Sequence, residues 1–326
     1  MNPRFTIIIP VKALNDYIRE TVAHIQNLSN KSWELIILPN DAEPDEWNDA
    51  RIRIIPSGWV GPAKKRDTGA ESARGDILVF LDDDSYPEPD LLAIAERYFA
   101  DETVAALGGP AVTPPHDTFW QRVSGAVFLS KFSGGAPERY VPVGEAREIQ
   151  DWPSVNLMVR KADFLAVGGF NSPYWPGEDT KLCLDLVKKT GKNILYIPKL
   201  VAWHHRRAGL AAHLKQIGGY GLHRGYFAKR HPETSRKFIY FIPSAFLFFL
   251  VLTLCYPWLP QLMRVMIWMG WSLYGVALLL AFMDISKYET IGVAIAAIFY
   301  AFLTHIYYGF RFIQGLLTQN LVSRLR

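Results

Sequence analysis

Short apolar runs alternate with amphipathic stretches through the first two hundred residues, and long uncharged stretches fill the last ninety. Residues 6–10 (TIIIP), 35–38 (LIIL), 52–55 (IRII) and 77–81 (ILVFL) are short and mostly unbroken by polar positions. Runs of that length without alternation predict strands buried on both faces. Between the first two, Tyr17, Ile18, Val22, Ile25 and Leu28 recur at helical spacing behind Asn15, a side chain suited to capping. Between the third and fourth, residues 63–73 read as a helix stopped by Gly75. Strand, helix, strand, strand, helix, strand predicts an α/β domain with a mostly parallel central sheet.

The later pattern is different. Residues 180–190 read as an amphipathic helix, with Leu182, Leu186 and Val187 on one face. Short strands follow at 194–197 and 201–203. Residues 211–230 form a glycine-weakened helix with apolar patches and basic residues. It reads either as an interfacial helix on lipid headgroups or as a packed helix of the preceding domain. Residues 238–259, 262–283 and 291–310 are almost free of charge, and each exceeds the roughly 18 apolar residues that mark a spanning helix. The expected division is therefore a domain over 1–210, a linker helix over 211–237 and a three-helix transmembrane region over 238–326.

Charge distribution sharpens this division. Half of the 326 residues are hydrophobic and the net charge is +4. From residue 238 onward only Asp284 and Glu289 are acidic, against five bases, so the first 237 residues are nearly neutral. No basic stripe appears, which argues against a nucleic-acid partner. Cys183 and Cys255 make neither a disulfide framework nor a metal-binding spacing. The apolar run at the start is too short for a signal peptide and ends in proline. Lys229, Arg230, Arg236 and Lys237 precede the first apolar stretch, which expects an integral membrane protein with its N-terminal domain on the cytoplasmic side. Three crossings would then leave Arg311, Arg324 and Arg326 on the far side, against the same rule. A re-entrant third segment, or a tail lying on the far surface, would relieve that conflict.

The chemistry collects at strand ends. The run 77–81 leads directly into Asp82, Asp83 and Asp84, and ligands of open α/β sheets bind beyond the carboxyl ends of strands. Three adjacent carboxylates repel one another, and a magnesium or manganese ion, which prefers hard oxygen ligands, would offset that repulsion. The plain alternative is a solvated acidic turn capping a helix that starts near Pro87. Asp41 follows the second strand, and Lys64, Lys65 and Arg66 open the helix after the third. Acids that hold a ribose or base, cations that hold phosphate and a metal-binding pair together describe a nucleotide diphosphate site. Glu178 and Asp179 end a Pro/Gly-rich loop at the start of a helix, whose positive end stabilises carboxylates. Asp179 there is either a general base that stays ionised or simply a helix cap.

With these residues in view, the chain resembles glycosyltransferase family 2, a GT-A nucleotide-sugar fold. The resemblance rests on IIIPV at the start, Asp41, GPAKKRDTGAESARGDILVFLDDDS, NLMVRKADFLAVGGF at 156–170 and GEDTKLCLDL at 177–186, and it covers roughly residues 4–205. Two departures, Pro39-Asn40-Asp41-Ala42 after the second strand and Asp67 after the arginine, concern base recognition rather than fold. The resemblance implies that Pro10, Asp41, Lys65, Arg66, Asp82, Asp83 and Asp84 line the nucleotide sugar. Asp82 and Asp84 would hold the metal with His204, and Arg206 or Arg207 could bind diphosphate. Asp179 would be the catalytic base beside Glu178. Trp152, Asn156, Trp175 and Arg139 are candidate acceptor contacts, with core packing the alternative for the tryptophans.

The expected activity is metal-dependent, inverting transfer from a nucleotide diphosphate sugar, with UDP-sugar the first choice. The acceptor is a hydroxyl on a lipid-linked molecule or glycan, and membrane lipid is the further partner. The alternatives are a polyprenyl-phosphate glycosyltransferase, whose anionic acceptor needs no base, and a non-catalytic membrane scaffold that binds nucleotide sugar.

Overall fold

A computed structural model describes residues 3–321. The chain packs as two compact units and passes between them after Val112, Tyr140 and His205. In order, the first unit begins with β1 (Phe5–Pro10), α1 (Asp16–Gln26), β2 (Trp33–Leu38), β3 (Ile52–Ile54), α2 (Pro62–Ser72), β4 (Ile77–Leu81), β5 (Ser85–Pro87), α3 (Leu91–Tyr98), β6 (Val104–Gly108) and β7 (Ala111–Val112). The second unit then takes α4 (Phe119–Ala126). The first resumes with β8 (Arg147–Ile149), β9 (Asn156–Arg160), α5 (Lys161–Val167), α6 (Glu178–Thr190), β10 (Asn193–Tyr196) and β11 (Ala202–His204). The second ends with α7 (Leu210–Arg230), α8 (Pro232–Ser235), α9 (Ile242–Leu254), α10 (Gln261–Ile285) and α11 (Ile291–Leu317).

The first unit is an eight-stranded, mostly parallel sheet in the order β3-β2-β1-β4-β9-β6-β10-β8, with β5-β11-β7 as a second, smaller sheet. Every residue of β1, β2 and β4 is buried, as their apolar runs require. Alternate side chains serve opposite faces. Ile7 and Ile9 pack with Ile18, Val22 and Ile25 of α1, while Ile8 and Phe80 pack with Phe164, Phe170, Leu182 and Leu186. Asn15 caps α1, its Oδ1 accepting from Ile18 N at 3.0 Å. The helix expected near Pro87 begins only at Leu91, because Ser85–Pro87 pairs with β11 as a strand.

The second unit is helical. Its α7 is a packed helix, and its glycines form the seam against α11. A Cβ on Gly225 would lie 2.1 Å from Phe312 O, and one on Gly315 would lie 2.0 Å from Leu222 O. Small residues there let the backbones meet, which explains why a helix of poor intrinsic propensity forms. The expectation of three full spans is corrected. The first apolar stretch yields the 13-residue α9 between short 3₁₀ turns. At 1.5 Å per residue α9 covers roughly 20 Å, short of a hydrocarbon core of about 30 Å. Pro257 lies in the following 3₁₀ turn and Pro243 in the first turn of α9. Two helices, α10 and α11, are long and apolar enough to cross a membrane. The last runs to Leu317 rather than 310 and so includes Arg311.

Candidate active site

The carboxyl end of β4 delivers the three aspartates to the sheet rim. Ser85 Oγ accepts from Asp82 N at 3.0 Å and donates to Asp82 O at 2.9 Å, closing the turn. Antiparallel pairing of β5 with β11 puts Ser85 opposite His204. That register brings His204 Nε2 to 3.1 Å from Asp84 Oδ1. One ligand atom each from Asp82, Asp84 and His204 lies within 4.8 Å of the others. Two carboxylates and an imidazole so converged fit a divalent ion of the manganese or magnesium class.

Arg66, on α2 and only 3% exposed, joins this cluster to α6. Its Nη2 donates to Asp82 Oδ1 at 2.6 Å and its Nη1 to Glu178 Oε1 at 3.2 Å. The guanidinium also lies 5.5 Å from the Phe170 ring centre. Burial pushes the Glu178 carboxyl up, and the Asp179 charge pushes the same way, while Arg66 opposes both. Glu178 Oε2 and Arg66 Nε are buried without a protein hydrogen-bond partner. Asp179 is less buried. Its Oδ1 accepts from Thr180 N at 2.7 Å and its Oδ2 from Ser154 N at 3.4 Å. Gly177, at φ +114°, makes the left-handed turn that sets both acids on the first turn of α6.

Lys65 is buried at the rim, its ammonium turned to the strand ends. Its Nζ donates to Val11 O at 2.6 Å, Leu38 O at 3.2 Å and Asn40 Oδ1 at 2.6 Å, which uses all three ammonium protons to tie the ends of β1 and β2 together. Burial pushes its pKa down to about 8, with Asp41 and Asp83 acting in the other direction. Pro10 is buried at the end of β1, and Asp41 is exposed beyond β2.

Two acceptor candidates are core residues. Trp152 is buried against Tyr196, and its Nε1 donates to Gly109 O at 2.9 Å. Asn156 Nδ2 donates to Pro110 O and Leu200 O, at 3.1 and 2.7 Å, pinning two connections beside the sheet. Trp175 is half-buried in the loop before α6, joined to Pro176 by a cis peptide bond. Arg139 belongs to the second unit, in a 3₁₀ turn (Pro137–Arg139). Arg206 is also in that unit, its guanidinium 4.9 Å from the Tyr140 ring centre.

One rim residue escaped the sequence reading. Trp59 is 72% exposed on the β3–α2 loop. Ser57 N donates to Pro39 O at 2.9 Å and Gly58 N to Asn40 O at 3.0 Å, so the loop is bound to the segment carrying Asp41. The available signal was an exposed aromatic in a Ser-Gly-Trp turn just before a Gly-Pro helix start.

Residues 6–151 match glycosyl transferase family 2, and this part of the chain is a family 2 domain of GT-A fold. A pre-mycofactocin glycosyltransferase of Mycobacterium tuberculosis is 25% identical over 245 residues, covering 72% of this chain and 49% of that protein. A glucosyl-dolichyl phosphate glucuronosyltransferase of Haloferax volcanii is 25% identical over 196 residues, covering 54% of this chain and 60% of its own length. The chain thus spans about half the length of the mycobacterial relative. The mannosyltransferase PcManGT of Pyrobaculum calidifontis, solved with GDP-Man and Mn2+, shares the fold at a TM-score of 0.56 and 16% identity, covering 91% of this chain and 86% of that one.

Proposed function

We propose that the chain is a divalent-metal-dependent, inverting glycosyltransferase that moves a sugar from a nucleoside diphosphate donor to an acceptor hydroxyl at a membrane. The observation that carries the reading is the ion-pair chain from Asp82 through Arg66 to Glu178, with the Asp84–His204 pair beside Asp82 and Asp179 beside Glu178. It links a diphosphate-binding rim to a carboxylate on a helix N-terminus. Asp82, Asp84 and His204 would hold the ion, which when bound neutralises charge on the leaving diphosphate. Asp41, exposed beyond β2, would contact the nucleoside. Asp179, less buried than Glu178, takes the proton of the acceptor hydroxyl as that oxygen attacks the anomeric carbon opposite the leaving group. Glu178 and Arg66 hold Asp82 in position rather than touching substrate. The long apolar α10 and α11 support a membrane-held enzyme, the catalytic unit cytoplasmic and the acceptor lipid-linked or a glycan.

The test is nucleoside diphosphate release by the full chain in detergent against UDP- and GDP-sugars, with a membrane lipid extract as acceptor. Release with one donor, abolished by chelator and cut by about 100-fold or more in Asp179→Asn, is the expected result. Release that survives Asp179→Asn would move the reading to a phosphate acceptor, which needs no base. Nucleotide binding without release from any donor would favour the scaffold.

A further inference from the structure

The helix α11 is covered on one side from its first turn to its last. Glu289, two residues ahead of it, accepts from Arg122 Nε of α4 at 3.0 Å. Tyr300 stacks on Trp120, ring centres 6.0 Å apart. Ser124 of α4 and Thr304 of α11 bracket the buried His213 ring of α7, at 2.8 and 2.9 Å. Farther along, Gly218 and Gly225 of α7 meet Tyr307 and Phe312, and Lys229 Nζ donates to Thr318 O at 2.7 Å. The end of α10 is tied in as well, Asp284 accepting from Ser130 Oγ at 2.9 Å.

These partners are the wrong company for a spanning helix. Six residues separate β7 from α4, a reach of at most about 21 Å, too short to carry α4 across a hydrocarbon core of about 30 Å. Whatever α4 grips, including the α10–α11 turn at 286–290, stays on the side of the catalytic unit. At the other end α7 brings Lys215, Arg224, Lys229 and Arg230 alongside the last half of α11. Each Lys or Arg costs about 3 kcal/mol at the centre of a bilayer. Charged partners hold both ends of α11, Arg122 on Glu289 at the start and Lys229 on Thr318 O at the end, with Arg311 bonded to Gly218 O between.

We infer that α11 does not cross the bilayer but lies along one leaflet, both its ends on the side of the catalytic unit. Its uncovered stripe of Ile291, Ile295, Phe299, Phe310 and Leu317 is exposed and sinks into the acyl region of that leaflet. A lipid leaflet is the occupant because the stripe continues into α9 and α10. Those helices expose Phe248, Val251, Leu273, Val276 and Leu279 in turn, and α9 joins α11 through Ser244 Oγ to Gly309 O at 3.1 Å. Only the α9–α10 hairpin enters the membrane core. Its tip holds Arg264, whose guanidinium caps Leu259 O and Pro257 O at 2.8 Å each. Lys229, Arg230, Arg236, Lys237, Lys287 and Arg311 then all fall on one side, which relieves the charge conflict at Arg311; Arg324 and Arg326 lie outside the described residues.

This inference rests on the membrane reading, and the experiment separates the two. The full chain carries Cys255→Ser, while the buried Cys183 stays in place. Single cysteines are placed at Glu102 on the catalytic unit, at Lys287 in the turn and at Gln319 just past α11, all exposed. Tyr288→Cys is a second turn variant that leaves the Lys287–Asp284 contact intact. Sealed vesicles whose outer face labels Glu102→Cys are treated with a membrane-impermeant maleimide. Equal labelling of Lys287→Cys, Tyr288→Cys and Gln319→Cys is expected. Labelling of both turn cysteines only after the vesicles are opened would overturn the inference while leaving membrane attachment standing. Release of the chain by carbonate washing would instead remove the membrane reading itself.

Discussion

Arg66 holds two carboxylates that belong to different halves of the site. Asp82 sits on the strand rim and Glu178 on the first turn of α6, and only a forked, buried guanidinium reaches both. Arg66→Lys keeps the charge but loses the fork. The expected outcome is a drop in nucleoside diphosphate release of about 10- to 100-fold, the loss typical when a partner that orients a metal ligand is removed. The apparent affinity for manganese should weaken in parallel, and a Lys variant with wild-type metal dependence would show that Arg66 does not position Asp82. Lys65 is the contrasting neighbour. Its cation was legible in the sequence as a phosphate ligand, because basic residues at a helix start beside a sheet rim read that way. Which way the side chain turns depends on the carbonyls of Val11 and Leu38, one of them 54 residues distant in sequence, and nothing local announces them. Lys65→Met takes the donor from Val11 O and Asn40 Oδ1, while Leu38 O keeps the Val11 N–H, and should cost about 2 kcal/mol of stability, seen as a lower unfolding midpoint in detergent. Trp152 takes the core-packing alternative that its sequence position left open, while the inward turn of the Asn156 amide to Pro110 O and Leu200 O has no local signal.

Elements whose character is set by their own run of residues were the readable ones. The strands β1, β2 and β4 coincide within two residues with the apolar runs, because burial on both faces favours apolar positions; the polar exceptions Thr6 and Glu34 are buried together, Thr6 Oγ1 donating to Glu34 Oε1 at 2.9 Å. The helix α9 was not readable, since an uncharged stretch reports hydropathy but not where a proline-led helix starts or a 3₁₀ turn ends it. The edge strand β3 depends on a local ion pair. Asp49 accepts from Arg51 Nη2 at 2.7 Å and from Arg51 N at 3.0 Å, and the Arg51 guanidinium lies 3.8 Å from the Trp33 ring centre. Hydrogen bonding from Arg51 pulls the Asp49 carboxyl down to about 2, below the ordinary aspartate value, against the effect of burial. A lowered carboxyl stabilises the fold above the unfolded value and loses that contribution as pH falls through the folded one. Stability should therefore decline between about pH 4 and pH 2 through this pair, and Asp49→Asn should show a shallower acid slope over that interval. An unchanged slope would place the acid sensitivity elsewhere.

At the scale of the molecule, the chain does not divide where its composition changes. Hydropathy suggests a cut near residue 237, with everything before it soluble and everything after it membrane. The compact units are interleaved instead: residues 113–140, taken from the middle of the catalytic stretch, pack with 206–321. The sequence is silent on this because α4 looks like any amphipathic helix, and its partners His213 and Glu289 lie 89 and 167 positions away. Ending the chain at residue 237 would therefore do more than release the protein from a membrane. It would strip α11 from both α4 and α7, uncovering Trp120, Ile217 and Phe227 and leaving His213 with one fewer partner in a site it cannot solvate. The expected product is aggregated or dye-binding rather than a monodisperse catalytic domain. Gly225→Leu in the full chain tests the same seam without deletion, because its first side-chain carbon already meets Phe312 O at 2.1 Å. That variant should separate α7 from α11 and lower the unfolding midpoint, whereas Gly275→Leu, where no atom lies within 4 Å of a Cβ, should not. A folded, monomeric 1–237 fragment with a sharp thermal transition would show that the helical unit is an appendage. Its failure, together with the Gly225 result, would show that α11 completes the core around α4.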